Sequence, residues 1–237
     1  VVYSVPVEPA DVDYSRTAAI DIGLDNLATV TFNQPDLAPL LVNGRPLKSL
    51  NQYYNQECAR LQSLLNGDRH TSRRLDAHTD KRNRRVTAYL HLASRRIIDT
   101  LVDQHIGTLV IGKNDRWKQD IHLGKRTNQN FVQIPHTRFI QMLCYKCALV
   151  GIRVVITEES YTSKCSFLDN EPIGKQESYA GRRIHRGLFR ASDGRIINAD
   201  VNGSYNILRK VIPNASADGI AVSVVRPVRI TPHQQFP

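Results

Sequence analysis

The sequence predicts an α/β protein, a mixed sheet flanked by helices, and three observations carry that expectation. Three apolar, β-branched runs follow one another within residues 18–45, each bounded by polar or turn residues. A longer segment then places Val86, Leu90, Ala93, Ile97 and Leu101 at steps of four, three, four and four, the stripe of an amphipathic helix. Beyond it, the short runs Thr108–Gly112 and Arg153–Glu159 flank a further helical stretch, as strands joined by a crossover do.

Taken in order, residues 1–17 read as a short strand at Val1–Val5 and a polar linker through Pro6, Pro9 and Asp11. The chain opens on Val1 inside an apolar run, so a longer N-terminal portion is expected before it. Ala18–Leu24 is a strand interrupted only by Asp21, Leu27–Phe32 its hairpin partner, and Leu40–Arg45 a third strand entering a turn. A helix over about Ser49–Leu65 stops at Asn66-Gly67, and a second runs from about Arg73 to Gln104. Thr108–Gly112 reads as a central strand. A polar loop through Gly124 and Asn130 leads to a helix from about Pro135 to Val150. Arg153–Glu159 is a strand that starts well inside the sheet. Ser160–Ile197 lacks periodicity, contains Gly174, Gly181, Gly187 and Gly194, and reads as an inserted loop or small subdomain. A last helix covers about Asp200–Val211, and the tail from 212 to 237 carries one more strand at Ala221–Val225. This element order is that of the ribonuclease H-like fold. It divides the chain into 18–159, with a helical segment at 49–104, an insertion at 160–197, and a returning part at 198–211. Fold alone assigns no function.

Thirty-two Lys and Arg against 22 Asp and Glu give a net charge of +10, which favours a polyanionic partner, although ribosomal or histone-like proteins share that balance. Between Arg69 and Arg96 there are nine Arg or Lys and two Asp. Arg73, Arg74, Lys81, Arg82, Arg84 and Arg85 are therefore candidate phosphate contacts, with a solvated helix face as the plain alternative. Around the insertion, Arg182, Arg183, Arg186 and Arg190 mix with Tyr161 and Phe189, a composition suited to stacking on nucleic acid. No apolar run approaches the roughly 20 residues that cross a bilayer, and no signal segment opens the chain. No membrane partner is expected, and the chain reads as cytoplasmic and nucleoid-associated.

Three carboxylates stand out. Asp21 lies in an apolar strand, where a charge is costly unless it meets a cation, a metal or donors; a turn that feeds it backbone N–H groups is the alternative. Asp-Ile-Gly also opens actin-like ATPase folds, but Leu24-Asp25-Asn26-Leu27 lacks the Gly and Thr that usually follow there. Asp200 falls in the first turn of a helix, where it could serve as a cap. Asn202 and Asn206 share a face of that helix and form a polar stripe suited to orienting an acid, while Val201, Tyr205 and Leu208 face the core. Glu158 and Glu159 end a strand whose alternation lets at most one of them face Asp21. Three carboxylates on adjacent elements could hold two Mg²⁺ ions roughly 3.5–4 Å apart for phosphodiester hydrolysis. Cys144 and Cys147 match a C-x-x-C pattern inside a predicted helix, and with no second pair they read as buried thiols.

Ile20-Asp21-Ile22-Gly23-Leu24-Asp25-Asn26-Leu27-Ala28 resembles the first RuvC motif of the TnpB (OrfB) family. Glu159-Ser160-Tyr161-Thr162-Ser163-Lys164 resembles the motif that opens its zinc-ribbon insertion, and Asn198-Ala199-Asp200-Val201-Asn202-Gly203 its third RuvC motif. The resemblance covers about Ala18–Lys210 and implies a RuvC-like, transposon-encoded, RNA-guided nuclease. By the same resemblance, guide RNA and a double-stranded DNA target are partners, Mg²⁺ or Mn²⁺ is the cofactor, and Asp21, Glu159 and Asp200 are its catalytic ligands. Residues 1–17 would then end an N-terminal wedge portion. Two departures bear on this. The strand that usually ends in the family's glutamate ends here in Gly112, and Glu159 matches the relocated glutamate of Fanzor-like relatives. The insertion keeps Cys165 without the other zinc-ribbon cysteines, which puts zinc in doubt and leaves packing to hold a degenerate insertion. A guided DNA-binding protein that has lost cleavage is the alternative function.

Overall fold

The structure is a computed structural model and describes residues 7, 9–65, 67, 69–113, 134–215 and 227–232. In chain order its elements are β1 (Asp13–Ile22), β2 (Asn26–Phe32), β3 (Leu40–Asn43), α1 (Arg45–Gln62), α2 (Arg73–Asp103) and β4 (Ile106–Lys113). There follow α3 (His136–Leu149), β5 (Arg153–Glu158), β6 (Arg182–His185), β7 (Leu188–Arg190), β8 (Ile196–Asn198), α4 (Ala199–Val211) and β9 (Val228–Ile230). One sheet has the order β5-β4-β1-β2-β3-β9, and β6-β7-β8 form a second. The β1-β2-β3 meander is antiparallel, while β4 and β5 add in parallel beyond β1, and β9 adds in parallel to β3. This is the ribonuclease H-like arrangement expected from the element order.

Strand alternation builds two cores, one on each face of the large sheet. Ala18, Ile20 and Ile22 join Val86, Leu90, Ile97 and Leu101 of α2 and Phe139 and Leu143 of α3. Ala19 and Val110 point the other way, into a cluster with Phe167, Phe189, Val201, Tyr205 and Leu208. The α2 stripe is fully used, each Val, Leu or Ile contributing about 1.5–3 kcal/mol by burial. Ser72 caps α2 through its Oγ, which accepts from Leu75 N at 3.3 Å.

The structure corrects several expected boundaries. Residues 13–17 belong to β1 and not to a linker: Asp13 pairs with Ile106 and Thr17 with Thr108. Their polar side chains hide a strand whose exposed end is braced by the Tyr14 hydroxyl, 3.0 Å from the Gly151 carbonyl, and by Arg153 over the Tyr14 ring. Helix α1 begins at Arg45, with Pro46 in its first turn, ahead of the expected Ser49. Strand β5 is an edge and does not start well inside the sheet. The insertion contains the small antiparallel sheet β6-β7-β8, whose strands of three or four residues are too short to show periodicity in sequence. The expected strands at Val1–Val5 and Ala221–Val225 and the loop through Gly124 and Asn130 lie outside the described residues. Among the described residues, no helix is long and apolar enough to cross a membrane.

Candidate active site

Asp21 follows Ala19 at the next position on the same face of β1 and so points toward α4. Helix α4 lies close against it there because Gly203 has no side chain: a Cβ on Gly203 would come within 2.9 Å of Asp21 Oδ2. A glycine inside a helix costs about 1 kcal/mol relative to alanine, and close approach is the physical reason for this one. Ser204 fixes the docking, its Oγ lying 3.1 Å from the Ala19 carbonyl, 3.0 Å from the Thr29 carbonyl and 2.9 Å from Thr31 Oγ1. No hydrogen bond to the Asp21 carboxylate occurs among the described residues, so the turn alternative does not describe it.

Asp200 stands one helical turn before Gly203. The cap of α4 is Asn198, whose Oδ1 accepts from Asp200 N at 2.9 Å and Val201 N at 3.2 Å. The Asp200 carboxylate is thereby released from capping. It accepts from buried Asn26 Nδ2 at 2.8 Å and faces the Arg183 guanidinium at 3.6 Å.

Glu159 follows the last residue of β5. Val155 packs on the α4 side of the sheet and Val154 on the other, so alternation carries position 159 toward Asp21 and position 158 away from it. A Cβ on Gly112 would lie 3.5 Å from the Glu159 Cβ, whereas Glu158 is exposed and its carbonyl accepts from Lys210 Nζ. Burial pushes the Asp21 carboxyl well above the usual carboxylate range, Glu159 and Asp200 push it further, and Arg183 opposes them. Repulsion of this kind marks a site able to gain from a cation. The donors are all hard carboxylate oxygens, which suits Mg²⁺ or Mn²⁺. Among the described residues, no group of three or more His, Cys, Asp or Glu is already gathered as a metal cage.

A cleft of about 660 Å³ opens beside Asp200, lined by Arg45, Arg183, Arg186 and Arg229 together with Asp25 and Asn26. Arg186 pairs with Asp25 at 3.0 Å. Burial would raise the Asp25 carboxyl, but its bond to Lys48 and the charges of Lys48, Arg186 and Arg45 hold it below its ordinary value.

The Asn stripe on α4 has a different use from the one expected. Asn202 accepts from Phe167 N at 2.9 Å and donates to the Cys165 carbonyl at 2.9 Å. Asn206 Nδ2 donates to the carbonyls of Thr162 at 2.9 Å and Cys165 at 2.7 Å. Both side chains anchor the insertion and do not orient an acid. Packing is not the insertion's only support either: Glu171 Oε2 accepts from Ser166 N at 2.7 Å and Oε1 from Ala180 N at 2.9 Å. Asn26, Gly203 and Glu171 are not among the candidate site residues of the sequence: Asn26 and Gly203 lie within the quoted motifs but act across the fold, and Glu171 has no local pattern.

Of the candidate nucleic-acid contacts, Arg73, Arg74, Lys81, Arg84 and Arg85 are exposed on α2, and Arg182, Arg183 and Arg186 on the insertion. Arg82 is half-buried, its Nε donating to Asn51 Oδ1 at 2.9 Å. Phe189 is in the core at 1% exposure and cannot stack on a ligand, which corrects that half of the expected aromatic pair, whereas Tyr161 is exposed. Cys147 is buried and Cys144 half-buried on α3, as thiols.

Comparisons with known proteins bear on the same regions. Residues 1–118 match the family OrfB_IS605, described as "Probable transposase", and residues 136–207 match the Cas12f1-like TNB domain. The TnpB-like protein ORF457 of Acidianus two-tailed virus is 24% identical over 226 residues, covering 90% of this chain and 44% of the viral protein. A Cas12f1–sgRNA–target DNA complex superposes with a TM-score of 0.64 at 17% identity, covering 86% of this chain and 40% of that one. A CRISPR-Cas12f ternary complex gives 0.60 at 16% identity, with the same coverage of 86% and 40%. The chain thus spans less than half the length of the relatives it matches.

Proposed function

The chain belongs to the TnpB/OrfB family, and on that premise we propose that it is the catalytic portion of an RNA-guided DNA endonuclease that hydrolyses phosphodiester bonds. The observation that carries this reading is the approach of Asp21 to the Gly203 backbone, beside Asp200 and within electrostatic reach of Glu159. Residues 18–159 and 198–211 would be the two parts of the catalytic domain, with 160–197 inserted between them. Guide RNA and double-stranded DNA would be its partners.

Asp21, Glu159 and Asp200 would hold Mg²⁺ or Mn²⁺. Such ions, when bound, supply Lewis-acid stabilisation of the phosphoryl oxygens and an activated water. The chain's own contribution is placement. Gly203 admits the Asp21 carboxylate, Asn26 fixes the rotamer of Asp200, and Asn198 leaves Asp200 clear of the helix end. Arg45, Arg183, Arg186 and Arg229 would receive backbone phosphates in the cleft, and the exposed cations of α2 would bind the polyanion along a second face. With Cys165 alone in the insertion, the fit to zinc is poor there.

The test is cleavage of plasmid DNA by the full-length protein with its co-purified RNA, in Mg²⁺ or Mn²⁺. Cleavage that disappears in EDTA and in Asp21→Ala supports the enzyme. Gly112, where the family's acid is missing, favours a second reading: a guided DNA-binding protein without cleavage. Sequence-specific binding with no metal-dependent cleavage would select it.

A further inference from the structure

Where α1 crosses α2, three rings and three cations from the two helices line a pocket of about 220 Å³. Tyr54 and His78 stack with centroids 5.4 Å apart and planes 14° apart. Tyr53 meets the same His78 edge-on, at 5.9 Å and 68°. Arg82 lies over the Tyr54 ring at 5.5 Å, tied to Asn51 Oδ1 at 2.9 Å. The Tyr54 hydroxyl is 3.0 Å from Thr79 Oγ1. Tyr54, His78 and Arg82 are thus a fixed, bonded platform. Tyr53 is not covered by it: 57% of this large ring is exposed. Lys81 and Arg85, both exposed, line the same pocket, and no carboxylate is among its lining residues. His78 Nε2 is shielded from solvent and has no hydrogen-bond partner among the described residues.

We propose that this pocket binds one unpaired nucleotide, its base stacked on Tyr53 and its phosphate held by Lys81 and Arg85. The chemistry selects that ligand in three ways. An exposed ring against a rigid aromatic floor offers a π-face to any base, and stacking needs no base-specific donors. Two adjacent exposed cations, Lys81 and Arg85, with no carboxylate among the described lining residues, suit the phosphate that follows each base. The volume falls below the roughly 300–1,000 Å³ of small-molecule clefts, so the pocket fits one unit of a longer polymer better than a metabolite. Duplex bases are sealed in their stack and cannot reach Tyr53, so the pocket would prefer single strands. The inference rests on the nuclease reading only in its choice of nucleic acid, and it assigns a function to Tyr53, Tyr54 and His78.

The experiment uses the full chain in EDTA, where the carboxylate centre is silent, so failure of the pocket and failure of the nuclease reading are separate results. Fluorescein-labelled single-stranded DNA and RNA dodecamers of mixed sequence are titrated beside a DNA duplex of the same length. Tyr53→Ala should weaken single-strand binding about tenfold or more, Tyr53→Phe should retain it, and duplex binding should be unchanged in both. Lys81→Ala with Arg85→Ala should lower single-strand affinity and flatten its salt dependence. A larger loss on RNA would identify a guide nucleotide as the natural occupant, and a larger loss on DNA a displaced target base; either supports the site. Unchanged single-strand affinity in Tyr53→Ala, or an equal loss on duplex, would overturn it. Because Tyr53 is exposed, its truncation should not unfold the chain, and an unchanged melting curve verifies this.

Discussion

Gly112 and Glu159 stand side by side: a Cβ on Gly112 would lie 3.5 Å from the Glu159 Cβ and 2.4 Å from Ile207 Cδ1. Ile207 of α4 closes the route from position 112, and Glu159 enters the same space from the end of the neighbouring strand. An acid at position 112 of β4 and an acid after β5 would therefore be two ways of reaching one place. Glu159→Gln should reduce metal-dependent cleavage on the order of 10²-fold or more while nucleic-acid binding persists. Glu158→Gln should cleave near the wild-type rate, since that side chain is exposed on the other parity of the strand. Plasmid cleavage and filter binding on both variants decide the matter; a defect confined to Glu158→Gln would reverse the assignment.

Gly203→Ala tests the contact on the other side of the site. Its new Cβ would fall 2.9 Å from Asp21 Oδ2, closer than a methyl and a carboxylate oxygen tolerate. Helix propensity would favour the alanine by about 1 kcal/mol, so secondary structure should survive. Displacement of a reacting group by about 1 Å can cost on the order of 10²-fold, and cleavage should fall by at least tenfold. Full activity in Gly203→Ala would show that the Asp21 position seen here is not the working one.

Much of the fold was legible because its signals are local. Asp21 is conspicuous as a charge in an apolar strand, and the α2 stripe gives its own buried face. What stayed hidden depends on elements far apart in sequence. Asn202 and Asn206 share a face of α4 in any reading, but only the fold shows that Thr162 and Cys165 meet that face. Alternation separates Glu158 from Glu159, yet choosing between them requires knowing that Val155 packs on the α4 side. Tyr53 and His78 are 25 residues apart and acquire meaning only when α1 folds back on α2. Strand periodicity gives no sign that β5 is an edge.

Removing charge at Asp21 should stabilise the metal-free protein. Its carboxyl is raised in the folded state, first by burial and then by Glu159 and Asp200. A carboxyl with a raised folded pKa favours the fold while protonated, and that support is lost as pH rises through the folded value. At pH 7.5 in EDTA, Asp21→Asn should therefore melt a few degrees above wild type, each kcal/mol being worth ~2–4 °C at this size. The gain should shrink as pH falls toward the ordinary aspartate range. Mg²⁺ should raise the melting temperature of wild type and not of the variant. A lower melting temperature for Asp21→Asn at pH 7.5 would contradict the repulsion.

Burial pushes the Cys147 thiol up to about 12, with Cys144 adding to it. The neutral thiol is then the species present at pH 8.5, and it is neither a good nucleophile nor a metal ligand. Iodoacetamide at that pH should label partly exposed Cys58 first and leave Cys147 and Cys165 unlabelled until the chain is denatured. Peptide mass spectrometry follows the order, and rapid native labelling of Cys147 would refute its burial.

The insertion offers a test of what replaces a metal. Glu171 is 8% exposed and joins the two ends of the β5–β6 loop by accepting from Ser166 N and Ala180 N, while its own carbonyl accepts from Arg209. In a zinc ribbon, ligand bonds to the ion supply the folding energy of such loops. Here one carboxylate ties together two stretches of the single β5–β6 connection, and hydrogen bonds to a charged group contribute ~1.5–3 kcal/mol each. Glu171→Ala should lower the melting temperature by several degrees and speed hydrogen exchange at the amides of Ser166 and Ala180. Glu171→Gln keeps the volume and one acceptor oxygen, and should fall between the two. A transition-metal chelator such as phenanthroline should leave the wild-type melting curve in place. If the chelator lowers it and Glu171→Ala does not, a metal and not Glu171 holds this loop together.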